Sequence, residues 1–384
     1  MILTGNYIRR EIVLIMDISC KRSELIKGIQ TVLRAIPSKT SMSILECILL
    51  TADENGIKLT ANDMELGIET YIDGVVSVAG EIALEAKIFS EIIRSLPDSV
   101  VFINSDDDYI THIMCEKSKF NIIGRSSEEF SYLPELDKQN PLVISQYSLK
   151  EIINQTIFSI SDNEANKLMT GELFEIKNNI FKVVSLDGHR ISVRKIELKN
   201  EYEDINVIIP GKTLKELSKI ISGNADEDVN IYFTDNNVIF EFDDTVVVSR
   251  IIEGEYFNID QMFSSDYETK LDIKKQDLLD SISRATLLVK EGDKKPIIFT
   301  ITDYSVQLRI NSAIGSMNEE IDIQKSGKDI MIGFNPKFLI DVLRVLEDEI
   351  ITIYMVNPKA PCIIKNDDES YLYLVLPVNF NNVG

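Results

Sequence analysis

The chain has 384 residues, enough for two or three domains of ordinary size. Its content of 44% hydrophobic and 27% charged residues excludes a disordered chain, and no apolar run approaches the roughly 20 residues that cross a bilayer. The formal net charge of -22 argues, taken alone, against a protein that binds the phosphates of nucleic acid.

The N-terminus does not have the order of a signal peptide. Arg9 and Arg10 precede only a short apolar run, 12–16, and charged residues follow it directly. A signal peptide needs a longer apolar core and then small residues at a cleavage site. We therefore expect a cytoplasmic protein, with Met16 as the natural start and 1–15 as an N-terminal extension.

Cysteine and histidine are too sparse for a metal centre. The chain has four cysteines, none in a CxxC pair, and two histidines, His112 and His189. Scattered cysteines argue against both a zinc site and a disulfide framework. The sequence therefore predicts reduced thiols, no metal and no cofactor.

Apolar residues at helical spacing predict six helices, two in each third of the chain. They cover 21–36 and 86–96, then 148–160 and 212–221, then 275–289 and 336–346. Ser148 and Glu151 have the spacing of a capping box at the start of the third helix. Alternating segments between the helices, such as 57–60, 67–72, 174–176 and 306–310, predict short antiparallel strands. Each third is then an α+β domain.

A faint threefold repeat supports this division. The second helix of each third is followed by an acidic turn and a strand, near residues 103, 231 and 353. The spacing of about 125 residues is a plausible domain size. Polar connectors at 134–141 and 264–269 place the domains at 16–138, 139–264 and 265–384.

The predicted helices hold much of the positive charge, opposite the apolar stripes, while the acids concentrate in turns and strands. This arrangement can simply be the solvation of outer helix faces. Alternatively, six helices facing a common centre would form a positive surface inside a negative object, which suits contact with a nucleic-acid backbone without base reading. The clearest cations are Lys27 and Arg34, Lys212, Lys215 and Lys219, and Lys337 and Arg344.

The sequence contains no complete catalytic motif. The segment 208–214 (IIPGKTL) is similar to a P-loop, but the position that needs a glycine is Asn206, and Pro210 removes a backbone N–H. The chain has no GxGxxG or GxSxG, so we do not expect an enzyme. The segment 183–193 (VVSLDGHRISV) reads on its local chemistry as a hairpin, with an exposed histidine and arginine after an Asp-Gly turn.

Several segments together resemble one family. The SLDGHRISV stretch resembles the DGHR loop of the bacterial DNA sliding clamps, the beta subunits of the replicative polymerase. Four further segments resemble other parts of the same family, in the same order. They are 61–69 (ANDMELGIE), 284–288 (RATLL), 332–346 (IGFNPKFLIDVLRVL) and 371–378 (YLYLVLPV), and the resemblance covers about 16–380. The resemblance implies three similar clamp-type domains per chain, with helices lining the inside and antiparallel sheets outside. It also implies a closed ring, formed by a head-to-tail homodimer around double-stranded DNA, that is not an enzyme.

The resemblance further implies partners that dock a short linear motif into one groove per subunit: the DNA polymerase III alpha subunit, the clamp loader and repair proteins. The sequence departs from the family at three groove positions: Leu186 stands where threonine is common, Phe257 where proline is, and Gln261 where arginine is. The groove residues carried over are Met169, Leu186, Gly188, His189, Arg190, Ile191, Phe257, Gln261, Met262, Pro361, Leu374, Leu376, Pro377 and Val378.

The same resemblance implies a DNA-contacting set and a ring-closing interface. The DNA set is Lys39, Asn163, Lys167, Arg22, Lys27 and Arg94. The interface set is Lys87, Lys117, Lys119, Phe120 and Ile122 in the first domain, against Leu287, Leu288, Glu319 and Glu320 in the third.

Two alternatives stay open. A peptide-binding scaffold of the same fold would be a monomer indifferent to substitution of Lys39 and Lys167. A nucleotide hydrolase would bind nucleotide through Lys212.

Overall fold

The structure is a computed structural model that describes residues 14–134, 138–263, 266–289 and 295–380. Residues 1–13 of the expected extension and the expected domain boundary at 264–265 therefore lie outside the described residues. So do residues 381–384 at the C-terminus.

Six α-helices are present in the described part of the chain, two in each predicted third. They are α1 (Arg22–Val32), α2 (Ala86–Ser95), α3 (Gln146–Asn154), α4 (Gly211–Ile220), α5 (Lys275–Thr286) and α6 (Pro336–Val345).

Antiparallel strands make up most of the remaining chain. The first nine are β1 (Leu14–Lys21), β2 (Cys47–Asp53), β3 (Gly56–Asn62), β4 (Leu66–Ile72), β5 (Val75–Val78), β6 (Gly80–Glu85), β7 (Val100–Asp106), β8 (Ile110–Cys115) and β9 (Ser118–Ile123). The next six are β10 (Leu142–Ser145), β11 (Gly171–Leu186), β12 (Arg190–Pro210), β13 (Asp228–Phe233), β14 (Asn237–Phe242) and β15 (Thr245–Arg250). The last nine are β16 (Thr269–Lys274), β17 (Ile297–Ile301), β18 (Ser305–Ser312), β19 (Gly315–Asp322), β20 (Gln324–Gly327), β21 (Ile330–Phe334), β22 (Ile350–Met355), β23 (Cys362–Lys365) and β24 (Tyr371–Val375).

The described chain forms two compact units. The first comprises residues up to Val143 together with Glu227–Arg250. One of its sheets has the order β5-β1-β7-β8-β9, and the other contains the run β13-β14-β15-β4-β3-β2-β6. Helix α1 packs on this run, where a Cβ at Gly28 would lie 2.7 Å from Cγ2 of Ile72, so the close approach requires glycine.

The second unit comprises Ile144–Asp226 and the chain from Ile251. Its sheets have the orders β11-β12-β24-β23-β22-β16-β20 and β19-β18-β17-β21. Helices α5 and α6 pack over these sheets through Leu278, Ile282, Leu339 and Leu343, all nearly inaccessible to solvent. The buried Tyr373 of β24 belongs to the same core.

The two units do not follow the three predicted domains, because the sheets continue across the predicted boundaries. Strand β15 of the predicted second domain pairs with β4 of the first, with Val247 opposite Ile68. Strand β12 of the second domain pairs with β24 of the third, with Ile191 opposite Leu374. Each junction is thus a continuous hydrogen-bonded sheet.

The repeat predicted from the sequence extends to individual contacts. In each pair of helices, a cation on the first helix donates to a carbonyl at the end of the second. Arg22 donates through Nε to the Ile93 carbonyl at 3.0 Å, Lys150 through Nζ to Ile221 at 3.0 Å, and Lys275 through Nζ to Leu346 at 2.7 Å. These carbonyls have no partner within their own helix, so the cations cap three helix C-termini.

Helix positions agree with the sequence prediction to within a few residues, except at α3. The predicted cap at Ser148 is wrong: the N-cap is Ser145, whose side chain accepts from the Ser148 backbone N–H at 3.2 Å. Helix α1 also ends at Val32, where the prediction continued to residue 36, and a short 3-10 turn, Leu33–Ala35, completes that stretch.

Candidate peptide groove, DNA surface and ring edges

The loop between β11 and β12 presents His189 to solvent. Leu186 pairs with Ile191 at the base of the hairpin, and Gly188 has a φ of +86°, a conformation that favours glycine. The Asp187 carboxylate accepts from the backbone N–H groups of His189 at 2.9 Å and Arg190 at 3.1 Å. The DGHR sequence therefore forms a self-capped turn.

Arg190 is buried at the base of this loop. Its guanidinium donates to Asp187 at 3.0 Å and to Asp341 of α6 at 2.6 Å, and its Cζ lies 4.4 Å from the centre of the Phe338 ring. Burial would lower the pKa of Arg190, but Tyr373 and the two carboxylates outweigh burial and raise it. The guanidinium therefore positions the loop, and its side chain is not exposed to a ligand.

An apolar cluster lies beside the loop and gathers predicted groove residues from three distant segments. Of the predicted groove residues, Leu186, Ile191 and Leu374 are among its buried members, at 4–6% exposure. Met169 and Phe257 pack against it and are half-buried, so they are the apolar side chains that a ligand could cover.

The C-terminal segment borders the same cluster. The Leu376 backbone N–H donates to the His189 carbonyl at 2.8 Å, and that of Val378 donates to Gly333 of β21 at 2.8 Å. Leu376 is 36% exposed, while Pro377 and Val378 are half-buried. Pro361 immediately precedes Cys362, which pairs with Val375 in β24. These contacts bring Leu376–Val378 next to the His189 loop.

Gln261 and Met262 lie in a short 3-10 turn, Asp260–Met262, directly after the cluster member Ile259. Both are exposed, Met262 by 46%. They stand beside the cluster, and a role for them in the groove stays a prediction.

Two residues of α6 that were not predicted from the sequence support the loop. Phe338 stacks against the His189 ring at 6.1 Å between centroids, and Asp341 holds Arg190. These two residues are three apart on α6, so they lie on one face of a helix that the sequence had already identified. Their spacing of three residues was the signal in the sequence that could have placed them together.

Most of the predicted DNA-contacting residues are exposed. Lys27, Lys39 and Arg94 are exposed on the first unit, and Asn163 and Lys167 on the second. Arg22 is the exception, because its guanidinium is half-buried and donates to the carbonyls of Ile93 and Arg94. We therefore propose a capping role for Arg22 in place of its predicted contact with DNA.

The predicted ring-closing residues in the first unit lie on or next to a free sheet edge. Strand β9 is the last strand of the β5-β1-β7-β8-β9 sheet, and it exposes Phe120 by 37% and Ile123 by 84%. Ile122 of the same strand is half-buried, and Lys87, Lys117 and Lys119 are exposed.

The second unit has a corresponding edge at β19, the first strand of the β19-β18-β17-β21 sheet. Leu287 is 77% exposed, Leu288 packs against the core, and Glu320 of β19 is exposed. Glu319 is paired with Arg284 of α5 within its own subunit. That hydrogen bond holds the pKa of Glu319 below its usual range.

Comparison with known proteins gives one consistent result. Models of the DNA polymerase III beta subunit match the chain three times in succession: the N-terminal domain at 16–134, the central domain at 143–258 and the C-terminal domain at 260–379. The chain belongs to the DNA polymerase III beta subunit family.

Relatives agree with this assignment over almost the whole chain. A beta sliding clamp from Staphylococcus epidermidis is 34% identical over 374 residues, which cover 94% of this chain and 99% of the relative. The crystal structure of a putative beta subunit from Eubacterium rectale is 63% identical with a TM-score of 0.92, covering 95% of this chain and all of the other. A Bacillus subtilis sliding clamp is 31% identical with a TM-score of 0.91, covering 95% and 99%.

Family membership decides the broad function. Sliding clamps are processivity factors in DNA replication and are not enzymes, and the family implies DNA and a polymerase as partners and a ring assembly. The α+β fold with three clamp domains is confirmed. Among the described residues, no group of His, Cys, Asp and Glu could hold a metal ion, and no described helix could span a membrane.

Proposed function

We propose that this clamp closes around duplex DNA as a head-to-tail homodimer, joining β9 of one subunit to β19 of the other. The observation that carries the proposal is a pair of strands that lie at sheet edges in the described part of the chain and have exposed apolar side chains. Phe120 and Ile123 lie on one edge, and Leu287 ends α5, the helix that packs against the other. A free edge offers unpaired backbone groups to a second chain. Covering each large apolar side chain contributes roughly 1.5–3 kcal/mol.

The proposed DNA contacts are sequence-independent and made by exposed cations, with Lys39 and Lys167 as the main candidates, helped by Lys27, Arg94 and the amide of Asn163. A ring held on DNA by topology needs little affinity for it. This reconciles a net charge of -22 with a role on DNA.

The proposed docking site for partners is the groove beside the His189 loop. Half-buried Met169 and Phe257 and exposed Leu376 offer apolar surface for leucine or phenylalanine anchors, over the buried floor of Leu186 and Leu374. The partners proposed for it are the DNA polymerase III alpha subunit, the clamp loader and other proteins with a clamp-binding motif, all in the cytoplasm.

The proposed domain boundaries are 16–138, 139–264 and 265–384, with 1–15 as an extension. The three family matches support them, since their gaps at 135–142 and at 259 fall at or near the proposed joints.

Retention on circular DNA tests the ring. The protein is loaded onto a nicked circle with the organism's own clamp loader, free protein is removed, and the salt concentration is raised. We expect the protein to stay on the circle at high salt and to leave when the circle is cut once. Loss from the intact circle as salt rises would mean purely electrostatic binding and would refute the ring, provided that the loader is active on another clamp.

A further inference from the structure

A cavity of about 490 Å³ lies directly beside the apolar cluster of the proposed groove. The cavity and the cluster share Leu173, Tyr256, Phe257 and Ile259, so a peptide that covers Phe257 has the cavity within reach of its neighbouring residues. The other main lining residues are polar or charged: Glu175, Lys182, Asn206, Glu255, Asn258 and Asp260.

The charges of this lining do not balance. Lys182 lies 2.9 Å from Glu175 and 3.7 Å from Asp260, and Lys177 pairs with Glu175 at 2.5 Å. Burial would raise the pKa of Glu175, but hydrogen bonds from both lysines hold it below its usual range. The lining thus contains three carboxylates and one lysine, and because Glu175 is already paired with two lysines, Glu255 and Asp260 carry the excess negative charge. The Asp260 side chain is 79% exposed.

An aromatic wall stands next to these carboxylates. Phe257 is half-buried and meets the buried Tyr256 ring edge-on, with 5.7 Å between the ring centres. Long basic side chains pack their methylene groups on apolar surface and keep the charged head among polar groups, and a guanidinium is also attracted to a ring face. An acidic side chain would be repelled at the same place.

A second cavity, in the first unit, does not share this excess of carboxylates. It measures about 520 Å³ and lies beside Tyr132, Leu133 and Pro134. Its charged lining is Lys58, Lys138 and Glu69, so there the cations are in excess. A third cavity, of about 490 Å³, is also acidic, with Asp348, Asp367 and Asp368 against Lys365 in its lining. That lining contains no aromatic residue and shares no residue with the groove cluster, so among these three cavities the one beside Phe257 combines excess carboxylates with an aromatic wall.

We propose that the cavity beside Phe257 binds an arginine or lysine side chain of the partner peptide, at a position that flanks its apolar anchors. The groove would then select partner segments that have a basic flank. This inference rests on the peptide-docking role proposed above.

A set of paired peptides tests the proposal. The probe is a fluorescent peptide from the clamp-binding segment of the organism's own replicative polymerase. Arginine or its neutral analogue citrulline is placed in turn at each position within four residues of the anchors. At one flanking position, we expect arginine to tighten the Kd about three- to five-fold over citrulline at low salt, the range of an exposed ion pair.

Matched variants locate the effect. We expect the arginine gain to disappear in the Glu255→Gln, Asp260→Asn double variant and to persist in Glu69→Gln, which removes a carboxylate from the cavity of the first unit. Equal binding of arginine and citrulline at every position would overturn the proposal, and so would a gain that survives in the double variant.

The citrulline peptides separate this inference from the proposed function. If they bind and arginine adds nothing, only the cavity proposal fails. If no peptide binds in either form, the docking groove itself fails and the cavity proposal with it.

Discussion

The Nη1 atom of Arg190 donates a 2.6 Å hydrogen bond to Oδ2 of Asp341, which ties the loop between β11 and β12 to helix α6. The Arg190 side chain is only 5% exposed and the Asp341 side chain 19% exposed. Water therefore cannot readily replace either partner. The position of His189, on the same loop, depends on this contact.

Asp341→Ala should lower the free energy of unfolding by about 2–3 kcal/mol, because it leaves a buried guanidinium with one carboxylate fewer. Peptide binding beside His189 should weaken as well. Urea unfolding followed by circular dichroism measures the first effect. Asp348→Ala is the control, since it removes an exposed carboxylate just after α6. Equal unfolding midpoints for Asp341→Ala and Asp348→Ala would contradict the account.

Glu172 of β11 should make the protein less stable as the pH rises. Its carboxylate is fully buried, and burial raises its pKa well above the usual value, outweighing the Thr156 hydroxyl and Lys215, which lower it. A raised pKa in the folded state means that stability is fully present below the unfolded pKa of about 4.3 and declines as the pH rises towards the folded pKa. Glu172→Gln should therefore be the more stable protein at pH 7.

The stability gap between Glu172→Gln and the unsubstituted protein should grow by at most about 1.4 kcal/mol per pH unit above pH 4.3. Glu175→Gln is the matched control with the opposite sign. The pKa of Glu175 is lowered, so its contribution is present at neutral pH and is lost as the pH falls. Unfolding curves from pH 4 to pH 8 measure both, and a pH-independent gap for Glu172→Gln would rule out a neutral buried Glu172.

Apolar contacts should dominate the ring interface. Phe120→Ala or Leu287→Asp should raise the dimer dissociation constant by about ten-fold or more, because each loses the burial of a large apolar side chain. Lys119→Ala should change it only a few-fold, as exposed ion pairs contribute little. Sedimentation equilibrium ranks the three, and a larger effect for Lys119→Ala would reverse this assignment.

Arg22 and Lys39 should differ in what they disturb. Arg22→Ala should cost about 1–2 kcal/mol of stability, because it uncaps α2, and should leave the salt dependence of DNA binding unchanged. Lys39→Ala should preserve stability but make the dependence on salt less steep, because it removes one phosphate contact. Binding to short duplexes across a salt series measures the second effect, and thermal unfolding measures the first. A stability loss in Lys39→Ala together with a less steep salt dependence in Arg22→Ala would contradict the assignment.

The helices could be predicted from the sequence because apolar stripes record which face is buried. The predicted helix 86–96 is observed at Ala86–Ser95. The start of α3 could not be predicted, because Gln146 is fully buried and its Oε1 accepts from the Ser222 backbone N–H at 2.8 Å. That partner is 76 residues away, so no local pattern reveals it.

In the candidate site, too, local features could be predicted from the sequence and features that depend on distant residues could not. The turn at Asp187 and Gly188 follows from local chemistry and was predicted. The burial of Arg190 and the capping role of Arg22 were not, because their partners, Asp341 and Ile93, are 151 and 71 residues distant in the sequence. A charged residue in a family motif therefore shows its function only when its partner is known.

Covalent closure of the ring on DNA tests the central claim most directly. Cysteines are placed at Ile123 and Leu287, which are 84% and 77% exposed, in a chain whose four own cysteines are buried. After loading onto a nicked circle, a bismaleimide links the subunits and the sample is denatured with SDS. We expect the linked dimer to stay on the intact circle in SDS and to leave when the circle is cut. Each single-cysteine variant should leave the intact circle in SDS, because its ring is not closed covalently. A linked dimer that leaves the intact circle in SDS would contradict a ring around DNA.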